Sequence, residues 1–81
     1  MMTSDDIREN IAENLRRMLE DRAWNTAKLV ERSGVPTNTV YRILRGENEP
    51  SLTHIAAICD VLGCSIDRVI SRPPELSQIP A

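Results

Sequence analysis

Four polar side chains in the middle of the chain recur at the spacing of one helix face: Asn38, Tyr41, Arg42 and Arg45, at i, i+3, i+4 and i+7. Val40, Ile43 and Leu44 fall between them on the opposite, inward side. An amide, a phenol and two guanidinium groups can hydrogen-bond to base edges and neutralise phosphates, which is the chemistry of nucleic-acid reading. His54, Cys59 and Cys64 are the other residues whose types could do chemistry. As a metal site they lack a fourth ligand, and their spacing matches no zinc pattern. The cysteines therefore read as small core hydrophobes and His54 as a residue near a helix start. The chain holds one histidine, and no spacing brings a nucleophile, a base and an acid together, so nothing points to an enzyme. No cofactor is needed.

These side chains require a helix held in place by others, and the flanking sequence supplies them. Asn25 reads as the N-cap of a short helix with an inner side at Leu29 and Val30, and Trp24 with Leu29 forms a hydrophobic staple. Gly34 gives the turn, because glycine alone takes positive φ without steric cost. Pro36 sits at the mouth of the next helix, which Thr37 begins and Gly46 ends. Residues 26–46 thus read as a helix-turn-helix, the arrangement whose second helix can enter a DNA major groove.

Ahead of this unit, Ser4 reads as a cap and Asp5 and Asp6 favour a helix start. Ile7, Ile11, Leu15, Met18 and Leu19 then predict a helix from about 5 to 22. Arg16, Arg17 and Arg22 read as a solvated face beside Glu13, Glu20 and Asp21. Behind the unit, residues 47–50 read as a loop. Ser51 caps a fourth helix with a wide apolar face of Leu52, Ile55, Ala56, Ile58, Cys59 and Leu62, and Gly63 ends it. Ser65 and Asp67 open a short fifth helix bearing Ile66, Val69 and Ile70. The expected division is one helical domain over residues 1–71 and a proline-rich tail or linker over 72–81.

The chain has 81 residues and no phenylalanine, and Trp24 and Tyr41 are its only aromatics, so a single small core must be aliphatic. No apolar run approaches the ~20 residues that cross a bilayer, and the acidic start is unlike a signal peptide. The expectation is a cytoplasmic protein without membrane association. Net charge is −2, a poor total for a DNA binder, but its distribution is uneven. Residues 26–46 carry Lys28, Arg32, Arg42 and Arg45 against Glu31, a local +3, whereas residues 1–25 sum to −2 and 47–81 to −3. A ligand feels the local field, which decays within ~8–10 Å at ordinary salt.

The run from about Ile11 to Ile70 resembles the lambda-repressor-like DNA-binding domains of the Cro/C1 type. The resemblance is carried by Leu15 and Met18, Leu29 with Val30, Gly34-Val35, Val40 through Gly46 ending in RILRG, Asn48 to Leu52, and Leu62-Gly63-Cys64-Ser65. It implies an all-α, compact five-helix domain with the helix-turn-helix at helices 2 and 3. It makes Thr37, Asn38, Tyr41 and Arg42 the base-contacting residues. It places phosphates at the amides of Asn25 and Thr26, as helix N-termini hold anions, and at Arg45 and the loop from Gly46 to Asn48. Departures are visible. The family usually has glutamine where Thr26 stands, and often a basic residue where Glu47 and Glu49 stand. A buried arginine–glutamate pair frequent in the family is here Leu19 and Leu44, apolar at both ends, as though replaced as a unit.

The resulting expectation is a sequence-specific transcriptional regulator, in the first place a repressor. It would bind double-stranded DNA at a palindromic operator as a homodimer, with two recognition helices about 34 Å apart. The dimer surface would be helix 5 and the tail, with Ile66, Val69, Ile70, Leu76 and Ile79. The alternative from another class is an antitoxin or similar protein-interaction module, with a toxin or other protein as partner, which would tolerate Glu47 and Glu49 better.

Overall fold

Five helices follow one another in the computed structural model, which describes residues 2–47 and 49–73: α1 Ser4–Arg22, α2 Thr26–Ser33, α3 Thr37–Leu44, α4 Leu52–Leu62 and α5 Ile66–Ile70. Their starts are set by local chemistry. Asn25, Ser51 and Ser65 each accept, through the side chain, the amide three residues on, of Lys28, His54 and Arg68. That satisfies one of the donors a helix start leaves open. The cap of α1 is Thr3 rather than the expected Ser4. Thr3 Oγ1 accepts from the Asp6 amide, and the Asp6 carboxylate accepts from the Thr3 amide, a reciprocal capping box. The hydrogen bond from the Thr3 amide, and after it the Thr3 hydroxyl, holds the Asp6 carboxyl below its ordinary value.

Each helix contributes one fully buried aliphatic side chain to a single core: Leu15, Leu29, Val40, Ile58 and Val69 in order. Ile11, Leu19, Val35, Ile43, Ile55, Cys59 and Leu62 complete it. Both cysteines are free thiols; Cys59 is buried in the core as expected, whereas Cys64 is only half-buried and packs against its edge. Burial, and after it the neighbouring Cys64, pushes the Cys59 thiol up to about 11, so it stays protonated and unreactive near neutral pH. Among the described residues no cluster of His, Cys, Asp or Glu could hold a metal ion.

Helix α1 is the spine. It packs against α3 on one side and α5 on another, while α4 packs on α2 and α5. The junction with α5 depends on two residues that periodicity leaves unassigned, the buried Asn10 and Asn14. Asn14 Nδ2 donates to the carbonyls of Val69 and Ser71 at 2.7 Å each, and Asn10 Nδ2 donates to Ile70 O at 3.1 Å. A five-residue helix ends in carbonyls that its own turns cannot satisfy, and α1 supplies the donors.

Four expectations are corrected. Leu52 lies on the outside of α4, 71% exposed, and Ala56 is exposed as well. The face of α4 that meets α2 and α5 is centred on Ile55, Ile58, Cys59 and Leu62, which leaves both outside it. Val69 is fully buried and offers nothing to a dimer surface. Arg22 is not merely solvated: its Nη2 donates to Leu62 O at 2.5 Å, closing the C-terminus of α4. The carbonyl end of a helix attracts a cation, which is why an arginine suits that place.

Candidate nucleic-acid interface

The turn between α2 and α3 is built by four consecutive features. Gly34 takes φ +74 and donates to Val30 O at 2.9 Å, ending α2. Ser33 Oγ donates to Leu29 O and accepts the Val35 amide, which holds the chain through the reversal. Val35 is buried and pins the turn to the core. Pro36 then starts α3 with no side-chain cap, a place where its missing N–H costs nothing. With Val40 and Ile43 buried and Leu44 packed against the core, the rotation of α3 is fixed.

That rotation decides what α3 presents. Thr37, Asn38, Tyr41, Arg42 and Arg45 are all exposed, as expected. Tyr41 is 45% exposed, a large ring held outside the core. The Arg45 guanidinium lies 5.8 Å from the centre of that ring and pairs with Glu47 at 2.8 Å. Arg45 is thus fixed between an aromatic face and a carboxylate, close to the position where α3 ends. Arg42 makes no ion pair among the described residues, so its guanidinium is available to an acceptor on a ligand.

Asn25 and Thr26 stand across a shallow groove from Tyr41 and Arg45. The Asn25 side-chain oxygen Oδ1 accepts from Lys28 N at 2.8 Å, so it serves its own helix. What α2 leaves open is therefore the amides of its first turn ahead of Lys28, which no intrahelical carbonyl reaches. Asn48 lies outside the described residues. On either side of it, Glu47 is held by Arg45 and Glu49 sits 3.6 Å from Arg8, so both acids have cationic partners.

Two residues expected on a solvated face also reach this groove, Arg16 and Glu20 of α1. The only sequence signal at Arg16 is an i, i+3 pairing with Glu13. Nothing within α1 tells that the end of α3 crosses beside it.

A capped helix, a glycine turn and an outward polar face on the following helix are the features of a DNA-reading helix-turn-helix. The family model of the Cro/C1-type HTH DNA-binding domain matches residues 14–75. The chain belongs to the Cro/C1-type family. The fold of this Cro/C1-type domain is similar to that of the hypothetical transcription factor NHTF from Neisseria, with a TM-score of 0.81 at 20% identity. The match covers 96% of this chain and 90% of that one. At such low identity the likeness is one of fold. No curated protein matches the sequence. Among the described residues no helix is long and apolar enough to cross a membrane.

Proposed function

We propose that this Cro/C1-type domain is a sequence-specific transcriptional regulator whose α3 reads base edges in the major groove. The observation that carries the reading is the single exposed face of Asn38, Tyr41, Arg42 and Arg45 on a helix whose opposite face is locked into the core. Thr37, Asn38, Tyr41 and Arg42 are the base-reading set. The first-turn amides at Asn25 and Thr26, with Arg45, hold the backbone on either side. Repression is the simplest output, since covering a site requires no further surface. The active form is a homodimer on a palindromic site. Its interface is an apolar patch in which exposed Leu52 adjoins half-buried Ile7, Ile66 and Ile70.

Glu47 favours a second reading, a protein-interaction module of the antitoxin kind, because a carboxylate beside phosphate is unfavourable. Its pairing with Arg45 weakens that objection, since the acid is already neutralised locally.

Selection of bound DNA from a random pool at moderate salt tests the proposal, and an enriched site is the expected result. On that site Arg42→Ala should lower affinity by ~1–3 kcal/mol and relax preference at one base pair, as loss of a base contact does. Arg45→Ala should weaken binding to all sequences and flatten the salt dependence by about one counterion. Glu47→Lys should tighten binding without changing the preferred sequence. No enriched site, with every variant indistinguishable from wild type on DNA, would transfer the same face to a protein partner.

A further inference from the structure

Three sulfur atoms meet where the end of α1 passes the end of α4. Gly63 takes φ +69 and turns the chain out of α4, and the Cys64 amide then donates back to Cys59 O at 3.0 Å. That closure folds the residue after the glycine onto the last turn of its own helix. It brings the Cys64 thiol within hydrogen-bonding reach of the thiol of Cys59, which is buried in the core. On its other side the Cys64 thiol donates to Met18 Sδ at 4.0 Å, across 46 positions of sequence. Arg22 ties the same two helix ends together, donating to Met18 O at 3.3 Å and to Leu62 O at 2.5 Å. Cys64 and Met18 are half-buried, and Met18 also lines an open hollow between α1 and α5, which gives a small cation a route to the sulfurs.

Two thiols and a thioether are soft donors, the kind that selects Cu(I) over harder divalent cations. We propose that Cys59, Cys64 and Met18 form a binding site for one Cu(I) ion. Metal–thiolate bonds are about 2.3 Å long, so three sulfurs in a plane around one ion stand about 4.0 Å apart. Cys64 and Met18 already have that separation. Zinc is not satisfied here: its structural sites take four ligands, and among the described residues no His, Asp or Glu joins the two cysteines. Binding exchanges two S–H bonds for two S–Cu bonds. Cu(I) enters, two protons leave to solvent, and no oxidation state changes. The Cys59 thiol, raised by burial, keeps its proton until the cation displaces it. Two thiolates around one monovalent cation leave a single net negative charge, and the Arg22 guanidinium at the same junction offsets it. A disulfide would use the two cysteines alone and give Met18 no part. All three sulfurs lie outside the helix-turn-helix, so the site does not depend on the DNA-binding reading.

The test titrates the full chain, reduced and kept from oxygen, with Cu(I) buffered by a chromophoric Cu(I) chelator. Wild type should take one equivalent from the chelator and gain near-ultraviolet thiolate-to-copper absorption. Both thiols should then be protected from an alkylating agent, and X-ray absorption should count three sulfur neighbours. Met18→Leu conserves volume and removes only the sulfur, so it should fold as wild type does. It should weaken the site by roughly 10–100-fold and leave two sulfur neighbours. Cys64→Ser, at a half-buried position, should abolish uptake. Zn(II) at the same free concentration should not displace Cu(I). Two sulfur neighbours in wild type, or equal affinity in wild type and Met18→Leu, would overturn the three-sulfur site. No uptake by wild type, uptake that survives Cys64→Ser, or a Cys59–Cys64 disulfide formed in place of the copper complex would overturn it as well. None of these readouts involves DNA, so their failure leaves the DNA-binding reading as it stands.

Discussion

Asn14 shows how much one polar side chain can decide in a small helical domain. It is 4% exposed, and its amide nitrogen meets the carbonyls of Val69 and Ser71, with Arg68 O more distant at 3.4 Å. Replacing it by leucine leaves those acceptors buried without a donor, and Asn14→Leu should cost about 1–3 kcal/mol in a denaturant melt. Asn14→Asp keeps the shape and makes the consequence depend on pH. A carboxylate facing carbonyls is disfavoured, so the folded pKa rises above the unfolded value of about 3.9. The folded state then holds the proton more tightly. The variant's deficit should be smallest below pH ~4, grow as pH rises past the unfolded value, and level off above the folded one. Thermal melts between pH 3 and 8 would show it, and a pH-independent deficit would mean that the amide's contact with α5 is not what matters. None of this was legible in the sequence, because an asparagine on a helical face looks solvated until the end of α5 is known to lie against it. The role of Arg22 is hidden for the same reason: its acceptor, Leu62 O, is forty residues away.

The helices themselves were legible because their determinants are local. Caps at Asn25, Ser51 and Ser65 and the glycine stops at Gly34 and Gly63 act within four residues, and the inward faces of α1 and α3 follow from spacing alone. Leu52 marks the boundary of that logic. Apolar spacing says that a helix has an apolar face but not how wide the packed part is, and α4 is apolar over more of its circumference than its neighbours cover. The pairing of α1 with α3 gives a prediction for elements. Leu19 is buried, Leu44 is half-buried, and both line the groove where these helices meet. Leu44→Glu should destabilise by about 1–3 kcal/mol, below the ~3–5 of a fully buried unpaired charge, because one side of Leu44 opens to the groove. Adding Leu19→Arg should recover part of that loss by pairing the carboxylate. A double-mutant cycle by thermal melts reads the coupling, and strictly additive losses would separate the two positions.

For the whole molecule, the sign of the charge varies from place to place, and so does the purpose of the surface. The positive region is the helix-turn-helix, while the exposed apolar side chain of Leu52 belongs to a different patch with Ile7, Ile66 and Ile70. One recognition helix reaches only a few base pairs, and a second copy one helical turn away doubles the contacts without enlarging the domain. A dimer through this patch would bury apolar area that the monomer leaves in water, whereas a monomer would gain nothing from it. The expected dimer segment beyond residue 73, including Leu76 and Ile79, lies outside the described residues, so the patch of Leu52, Ile66 and Ile70 carries the argument. Leu52→Glu is the discriminating variant, because a side chain already 71% exposed contributes little to the fold. Its melting free energy should stay within about 0.5 kcal/mol of wild type, as surface substitutions do. Sedimentation should show weakened self-association. DNA titrations should change from a steep response to the shallower one of independent half-site binding, with the preferred half-site unaltered, since α3 is untouched. A variant that remained dimeric with wild-type titrations would place the dimer interface elsewhere on the chain. A variant that lost the half-site preference as well would mean that this patch supports the recognition helix rather than a second copy.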